Sequence, residues 1–284
     1  MNRYCGREFT SHELDQILSL IKDNPQFNRT RLSTEVCRIL QWLKPDGNLK
    51  DMSCRVAMLR MQEDGLIQLP PSTRVKQPVR NIKFTSATDP QNPIVRSVDL
   101  LPQLRFQKVT RANSALWNEY IERYHYLGYT PLPGAQLRYF IYAGEQLVAL
   151  TGFGAAAWQT APRDIFIGWN HEQRKKNLYL ITNNARFLIL PWIKSKNLAS
   201  KILSLTARQL PDDWEERYNI RPALLETFVE TKRFAGTCYK AANWQLCGKT
   251  KGRGKLGPAG KMSVPIKNIW VYPLEKKFRS ILKS

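Results

Sequence analysis

The sequence is short of long apolar runs. None reaches the roughly 18 residues that a membrane-spanning helix needs, and the opening segment, MNRYCGREFTSHEL, lacks the apolar stretch of a signal peptide. Hydrophobic residues nevertheless make up 43% of the chain, and its 284 residues can enclose a sizeable core. We therefore expect a folded cytoplasmic protein that has no membrane partner.

Metal-binding patterns of cysteine and histidine are also absent. The five cysteines have no Cys-x-x-Cys spacing, and the three histidines, His12, His125 and His171, form no ligand pair with them. The sequence therefore predicts no zinc site. An odd number of cysteines is typical of a reduced protein whose thiols pack as small apolar side chains.

Acidic residues are scarce relative to basic ones. The chain has 44 Lys and Arg against 23 Asp and Glu, which gives a formal net charge of +21 at pH 7. A charge of this size exceeds what solubility requires and attracts polyanions. Because no basic amphipathic helix stands apart from the folded segments, the charge favours nucleic acid as the partner over a membrane surface.

Three amphipathic helices are predicted in the first seventy residues. Thr10 and Glu13 have the spacing of a capping box before the first helix, and Pro45-Asp46-Gly47 ends the second. The third runs from Lys50 to Asp64, and a short strand, Leu66–Leu69, follows it.

This order of elements predicts a winged helix-turn-helix domain over residues 1–70. We expect Met52, Val56 and Leu59 to face its core. The third helix would then enter the major groove of DNA and present four DNA-binding residues, namely Lys50, Ser53, Arg55 and Arg60. The alternative is a helical packing or protein-binding unit whose arginines are merely solvated.

A proline-rich linker is predicted at 71–100, before a larger domain at 101–284. In that domain a helix at 114–126 and a hairpin at 137–153 precede a strand at 163–169, a strand that ends at Pro191, and a helix at 197–210. A strand at 223–229, a helix at 237–244 and strands at 245–248 and 268–274 complete the order, which predicts a mixed α/β sheet.

The segment PWIKSKNLASKIL after the strand that ends at Pro191 resembles the GCN5-related acetyltransferase fold. In that family a loop of the form Gln/Arg-x-x-Gly-x-Gly binds the pyrophosphate of acetyl-CoA at a helix N-terminus, and here Lys194, Asn197 and Ala199 stand at the three positions. Tyr239 matches the family's later tyrosine, which often serves as a general acid. Both glycines are missing, which places coenzyme A binding in doubt, so we expect the fold without the acyl chemistry.

Six runs between residues 124 and 244 resemble the DruA family of the Druantia anti-phage defence systems, whose domain also occurs beside transposase domains. They are YHYLG at 124–128, RDIFIGW at 163–169, NARFLILP at 184–191, NLAS at 197–200, LETFV at 225–229 and FAGTCYKAANW at 234–244. The resemblance implies genome defence or mobile-element biology that acts on DNA, and other subunits of the defence system are expected partners.

Two acids in apolar surroundings, Asp164 and Glu226, are the candidate catalytic carboxylates. Nuclease chemistry with Mg²⁺ needs carboxylates that converge on the metal, so both are also candidate metal ligands. The alternative is structural, because a buried carboxylate needs a partner, which Arg138, Arg163 or Arg186 could supply.

Two further catalytic candidates are aromatic or imidazole groups. His125 could act as a base, and Tyr239 or Tyr126 as the nucleophile of a strand-transfer reaction. The alternative is that these side chains belong to the core and have hydrogen-bonded polar ends.

A glycine-spaced basic segment follows the strand at 245–248. Its cations, Lys249, Lys251, Arg253 and Lys255, could contact phosphates, because the glycines between them allow close approach of the backbone. The lysines Lys194 and Lys196 could extend the same surface. A solvated tip is the alternative.

Three functions therefore remain open. The favoured one is a DNA-binding component of a defence or mobile-element system. The second is a Mg²⁺-dependent nuclease or strand-transfer enzyme, and the third is an acyltransferase that uses coenzyme A.

Overall fold

The computed structural model describes residues 2–43, 47–72, 82–252 and 264–284. The chain forms two compact units, Met1–Arg80 and Asn81–Ser284. The elements of the first unit are β1 (Asn2–Tyr4), β2 (Arg7–Phe9), α1 (Ser11–Asp23), α2 (Arg29–Ile39) and α3 (Asp51–Glu63). Among the described residues of either unit, no helix is both long and apolar enough to cross a membrane.

The first unit is a helical unit with an N-terminal hairpin. The capping box is present, since the Thr10 side chain accepts from Glu13 N and the Glu13 carboxylate accepts from Thr10 N. The predicted strand Leu66–Leu69 does not form. Ile67 and Leu69 instead pack into the core as irregular chain, so the wing of a winged helix is not found at that position.

The buried face of α3 also differs from the predicted one. Cys54, Ala57, Met58 and Met61 point into the core, whereas Met52 and Val56 are exposed. Both sets have helical spacing, and the small and sulfur-containing side chains fill the close contact with α2.

The second unit is built on a seven-stranded mixed sheet, so the predicted α/β class is confirmed. The strands of the main sheet are β4 (Leu104–Lys108), β5 (Gln136–Ala143), β6 (Gln146–Ala155), β7 (Ile181–Ile189), β9 (Leu224–Glu230), β10 (Gln245–Lys249) and β11 (Lys267–Pro273). Two short strands, β3 (Ile94–Val95) and β8 (Ile193–Lys194), form a separate pair. The α-helices of the second unit are α4 (Ser114–Tyr124), α5 (Ala161–Ile167), α6 (His171–Asn177), α7 (Leu198–Tyr218), α8 (Thr237–Ala241) and α9 (Phe278–Lys283).

The strand order of the main sheet is β10-β11-β9-β7-β6-β5-β4. All neighbours in it are antiparallel except the central pair, β7 and β9. The helix α7 connects these two parallel strands, as a crossover connection requires.

The segment 163–169, predicted as a strand, is mostly the helix α5. Pro162 lies in its first turn, where the missing N–H has no helical partner to lose. Gly168 ends the helix with φ of 78°, the left-handed conformation that glycine adopts without strain. Pro162 and Gly168, which favour the two ends of a helix, outweigh the strand preference of the β-branched Ile165 and Ile167.

The second half of the predicted linker 71–100 is an ordered part of the second unit. The β3 strand pairs in parallel with β8, and the Val98 amide donates to the Lys196 carbonyl oxygen at 3.2 Å. The Glu119 carboxylate accepts from the amide of Thr85 and, at 2.7 Å, from the hydroxyl of Thr88. These contacts hold residues 82–100 against the domain, and we call this stretch the covering segment.

Candidate functional site

A cleft of about 690 Å³ opens between β7 and β9. The two strands pair at only three positions, the last of which joins Asn183 to Glu226. Beyond that rung the strands part, and side chains from both strands, from the end of α4 and from the segment before α8 line the space. A cleft of this size is in the range that binds small molecules or parts of larger ones.

A hydrogen-bond network forms one wall of the cleft. The Tyr239 hydroxyl donates to Asn184 Oδ1 at 3.0 Å, Asn184 Nδ2 donates to Thr151 Oγ1 at 2.9 Å, and the Thr227 hydroxyl donates to the Asn184 carbonyl. Burial raises the pKa of Tyr239, so its phenol is neutral at physiological pH. The structure thus brings the predicted Tyr239 to the cleft, in the hydrogen-bonded core position that was the alternative to catalysis.

His125 ends α4 and lies at the cleft as a neutral imidazole. Burial and, to a lesser extent, the charge of Arg186 lower the pKa of His125 to about 4. Its Nδ1 accepts from the Leu127 amide at 3.2 Å, so the ring proton resides on Nε2. With its lone pair engaged, His125 is a hydrogen-bond donor to the cleft and a poor base.

The rim of the cleft carries two exposed aromatic side chains. Tyr126 is 37% exposed and Phe234 is 49% exposed, and their ring centroids lie 5.3 Å apart in an edge-to-face arrangement. His125 stacks on Tyr126 at 4.9 Å, and the Arg233 guanidinium lies 5.2 Å from the centre of the Tyr126 ring. We call Tyr126 and Phe234 the aromatic rim.

Positive charge surrounds the cleft, and none of the described residues that line it is acidic. Arg186 donates to the Ala185 carbonyl and the Thr130 hydroxyl, and its buried Nε has no hydrogen-bond partner among the described residues. Asn183 Oδ1 is likewise buried without a partner there. Lys267 and Arg233 complete the cationic part of the lining, and Arg233 forms an ion pair with Glu230, which stands behind the lining at 3.3 Å.

Asp164 and Glu226, predicted as catalytic and metal-binding, are joined through a buried arginine. Arg163 Nη1 lies 2.9 Å from Glu226 Oε2, and Arg163 Nη2 lies 2.8 Å from Asp164 Oδ1. Both Arg163 and Glu226 are fully buried.

The remaining carboxylate oxygens of this pair also have partners. Glu226 Oε1 accepts from the Ala157 amide at 2.7 Å, and Asp164 Oδ2 lies 3.1 Å from Arg174 Nη1. No group of three metal-ligating side chains occurs in the described ranges. The geometry therefore corresponds to the structural alternative, with Arg163 as the partner.

The loop before α7 presents lysines around a helix N-terminus. Lys194, Lys196 and Lys201 are exposed, and Asn197 adopts φ of 64°, the left-handed conformation that a glycine would take without strain. Ala199, at the other position where the acetyltransferase pattern has glycine, lines the cleft.

The DNA-binding residues predicted on α3 do not share one exposed face. Arg60 is exposed, while Arg55 lies 3.6 Å from Asp51 in an ion pair and Ser53 is half-buried. Lys50 stands at the N-cap position without a side-chain cap hydrogen bond and is half-buried. Arg60 alone of the four is fully exposed, and DNA binding by this helix stays a prediction.

The basic segment after β10 is described in part. Lys249 ends β10 and is exposed, and Lys251 follows it as an exposed residue. Arg253 and Lys255 lie outside the described residues.

Of the aromatic rim, the sequence singles out Tyr126 as a possible nucleophile but does not point to Phe234 as part of a site. Arg186 is predicted only as a possible partner for a buried acid. The available signal was the pair Asn183-Asn184 in the middle of an apolar strand, where amide side chains are uncommon and need partners.

Comparison with known proteins identifies the family of the chain. A family model described as Druantia protein DruA matches residues 62–264, and the chain belongs to this family. Membership indicates a component of the Druantia anti-phage systems. A search of curated proteins found no match.

Several solved structures are similar to part of this chain. An N-acetyltransferase from Staphylococcus aureus Mu50 is 10% identical, with 61% of this chain and 98% of that chain covered and a TM-score of 0.37. A variant of spermidine N-acetyltransferase from Vibrio cholerae is 12% identical, with 62% and 96% covered and a TM-score of 0.40. A polyamine N-acetyltransferase from Drosophila melanogaster is 10% identical, with 60% and 100% covered and a TM-score of 0.39. Similarity at this level says nothing about the reaction.

Proposed function

We propose that this protein is a DNA-binding component of a Druantia anti-phage defence system. The observation that supports DNA binding is the set of exposed lysines that form no ion pair. Of the ion pairs between described residues, only those of Lys108, with Asp213 and Glu216, involve a lysine. The other described lysines that are exposed can therefore direct their charge to phosphates.

The N-terminal end of α7 is the surface that we propose for the strongest phosphate contact. Lys194, Lys196 and Lys201 are exposed there, and α7 is 21 residues long, so its first amides carry the positive end of a full helix dipole. No side chain caps these amides. Helix N-termini of this kind bind phosphate groups through backbone N–H donors.

Two further basic surfaces extend the proposal. Lys175 and Lys176 at the end of α6 are exposed. Lys249 ends the edge strand β10, and Lys251 follows it. Other subunits of the defence system are the protein partners that we propose, because the family is named for a system and not for a single enzyme.

The test is a salt titration of DNA binding, measured by the fluorescence anisotropy of a labelled duplex. Each phosphate contact adds a slope of about −0.9 to log K against log salt. Replacement of Lys194, Lys196 and Lys201 by Ala should therefore make the slope shallower by about 2 to 3 units. Lys108→Ala is the matched control, since that lysine is already paired, and it should leave the slope unchanged.

Two results would refute the proposal. One is an absence of binding at low salt, and the other is binding that does not weaken as salt rises. If the triple variant keeps the wild-type slope while the protein still binds, the contact lies elsewhere than at α7.

A further inference from the structure

We propose that the cleft between β7 and β9 binds a nucleobase. The macromolecular source of that base rests on the proposed DNA binding, whereas the class of ligand rests on the chemistry of the cleft alone. The three features that carry the inference are the aromatic rim, the pair of unsatisfied polar atoms and the charge of the lining.

The aromatic rim supplies surfaces for stacking. Tyr126 and Phe234 keep more than a third of their surface exposed although the adjoining Tyr239 and His125 are buried. An exposed aromatic pair at the mouth of a cleft is costly to hydrate, and a flat ring that slides against it would remove apolar surface from water. Stacking of this kind is how proteins hold single bases without regard to their identity.

The interior supplies a hydrogen-bonding edge. Asn183 Oδ1 is an acceptor and Arg186 Nε is a donor, and both are buried without a partner among the described residues. His125 adds a second donor through its Nε2 proton. Unsatisfied buried polar atoms are uncommon in folded proteins, and a donor and an acceptor in the lining of one cleft are the groups that the edge of a nucleobase requires.

The positive charge of the lining favours a position at the mouth of the cleft for the phosphate of the bound nucleotide. No acidic side chain lines the cleft among the described residues. Arg233 extends from the rim with 56% of its side chain exposed, and its Nε lies 3.3 Å from Glu230 Oε1 in an ion pair that leaves the rest of the guanidinium to face the mouth. A base would enter between the aromatic rings and its phosphate would remain outside, beside Arg233 and Lys267. Enzymes and binding proteins that extract a base from a strand use this division between a stacking pocket and a charged mouth.

The base could come from a DNA strand or from a free nucleotide, and photochemical cross-linking distinguishes the two. The probes are a single-stranded oligonucleotide that carries one 5-iodouracil and the mononucleotide 5-iodo-dUMP. Both are irradiated with the full-length protein, and the cross-linked peptide is located by mass spectrometry. The anisotropy of the same oligonucleotide, labelled at one end, reports DNA binding separately.

We expect the cross-link at Tyr126 or Phe234. The double variant Tyr126→Leu with Phe234→Leu, which keeps apolar bulk but removes both rings, should reduce the cross-link yield at least about ten-fold and weaken oligonucleotide binding by about ten-fold. The control Tyr179→Leu removes an aromatic ring that is 55% exposed outside the cleft, and it should change neither value.

A cross-link at the rim from either probe supports the inference, and the probe that gives it names the source. Normal anisotropy with no cross-link at the rim from either probe overturns the inference and leaves the proposed function standing. A rim cross-link from 5-iodo-dUMP without any oligonucleotide binding has the opposite meaning, because the base site is then present and the DNA-binding proposal fails.

Discussion

The buried ion pair between Arg163 and Glu226 makes a quantitative prediction. Substitution Arg163→Met removes the guanidinium and keeps much of the side-chain volume. It leaves the Glu226 carboxylate with the Ala157 amide as its remaining partner, in a place where neither Arg163 nor Glu226 has any exposed surface. An uncompensated charge in such a position is far more costly than a lost surface contact.

The expected loss in free energy of unfolding is about 3–5 kcal/mol for Arg163→Met, the usual cost of breaking a buried pair by removal of one partner. The double variant Arg163→Met with Glu226→Leu removes both charges, and it should recover most of that loss because a buried pair and a well-packed apolar pair are similar in stability. Arg174 still neutralises Asp164 in both variants.

The assay is urea unfolding followed by tryptophan emission. Seven of the eight tryptophans lie after residue 81, so the signal reports chiefly on the unit that contains the pair. Arg221→Met is the matched control, since its ion pairs with Asp212 and Glu215 are exposed and should be worth about 0–1 kcal/mol.

Two outcomes would refute this reasoning. A loss below about 1 kcal/mol for Arg163→Met would show that the pair is not a structural element, and a double variant as unstable as the sum of the singles would show that the two residues act independently. If Glu226 were instead a metal ligand, Mg²⁺ should raise the unfolding midpoint of the wild type, and Glu226→Gln should abolish both that shift and any DNA cleavage.

Two more stability predictions concern the surroundings of the cleft. The pKa of about 4 for His125 means that the folded protein disfavours the charged imidazole. The free energy of unfolding is therefore unaffected by His125 above its ordinary pKa of about 6.5, and it should fall by about 2.5 kcal/mol between pH 7.5 and pH 4.5 as the imidazole of the unfolded chain takes up a proton. In His125→Asn that part of the fall should vanish, whereas in His12→Asn, at an exposed position, it should persist, and urea midpoints at the two pH values provide the check. Gly236 and Gly65 both have positive φ, but a Cβ added at Gly236 would lie 2.8 Å from the Trp270 ring, whereas a Cβ added at Gly65 would have no atom within 4 Å. Gly236→Ala should therefore cost about 1–3 kcal/mol more in free energy of unfolding than Gly65→Ala. Equal thermal midpoints of the two variants would contradict the close contact.

Local signals in the sequence were sufficient for many elements of the fold. The capping box at Thr10 began α1 as predicted, and the hairpin of β5 and β6 turns at Gly144. These features depend on residues near one another in the chain. The α5 helix carries local signals of the same kind, since Pro162 and Gly168 mark its ends, but the apolar run between them also has the pattern of a strand.

The face of α3 and the covering segment were beyond local reasoning. Met52 and Val56 have the spacing of a buried face, yet Cys54 and Met58 have it too, and only the position of α2 decides between them. The stretch 82–100 contains the prolines of a linker, but its hydrogen bonds with Glu119 and Lys196 join positions far apart in sequence. Tertiary contacts of this kind override composition.

The cleft itself depends on the register of two strands that are separated by a 21-residue helix. Glu226 stands opposite Asn183 in the last rung before β7 and β9 part, and Arg163 ties the same Glu226 to α5. The residues predicted as a metal site thus hold the rung from which the cleft opens, while the atoms left without partners, Asn183 Oδ1 and Arg186 Nε, lie at or beyond that rung. The sequence indicates that Glu226, a carboxylate in an apolar strand, needs a buried partner. It could not indicate that this pairing lies at one end of a cleft and that the buried atoms without partners are its neighbours.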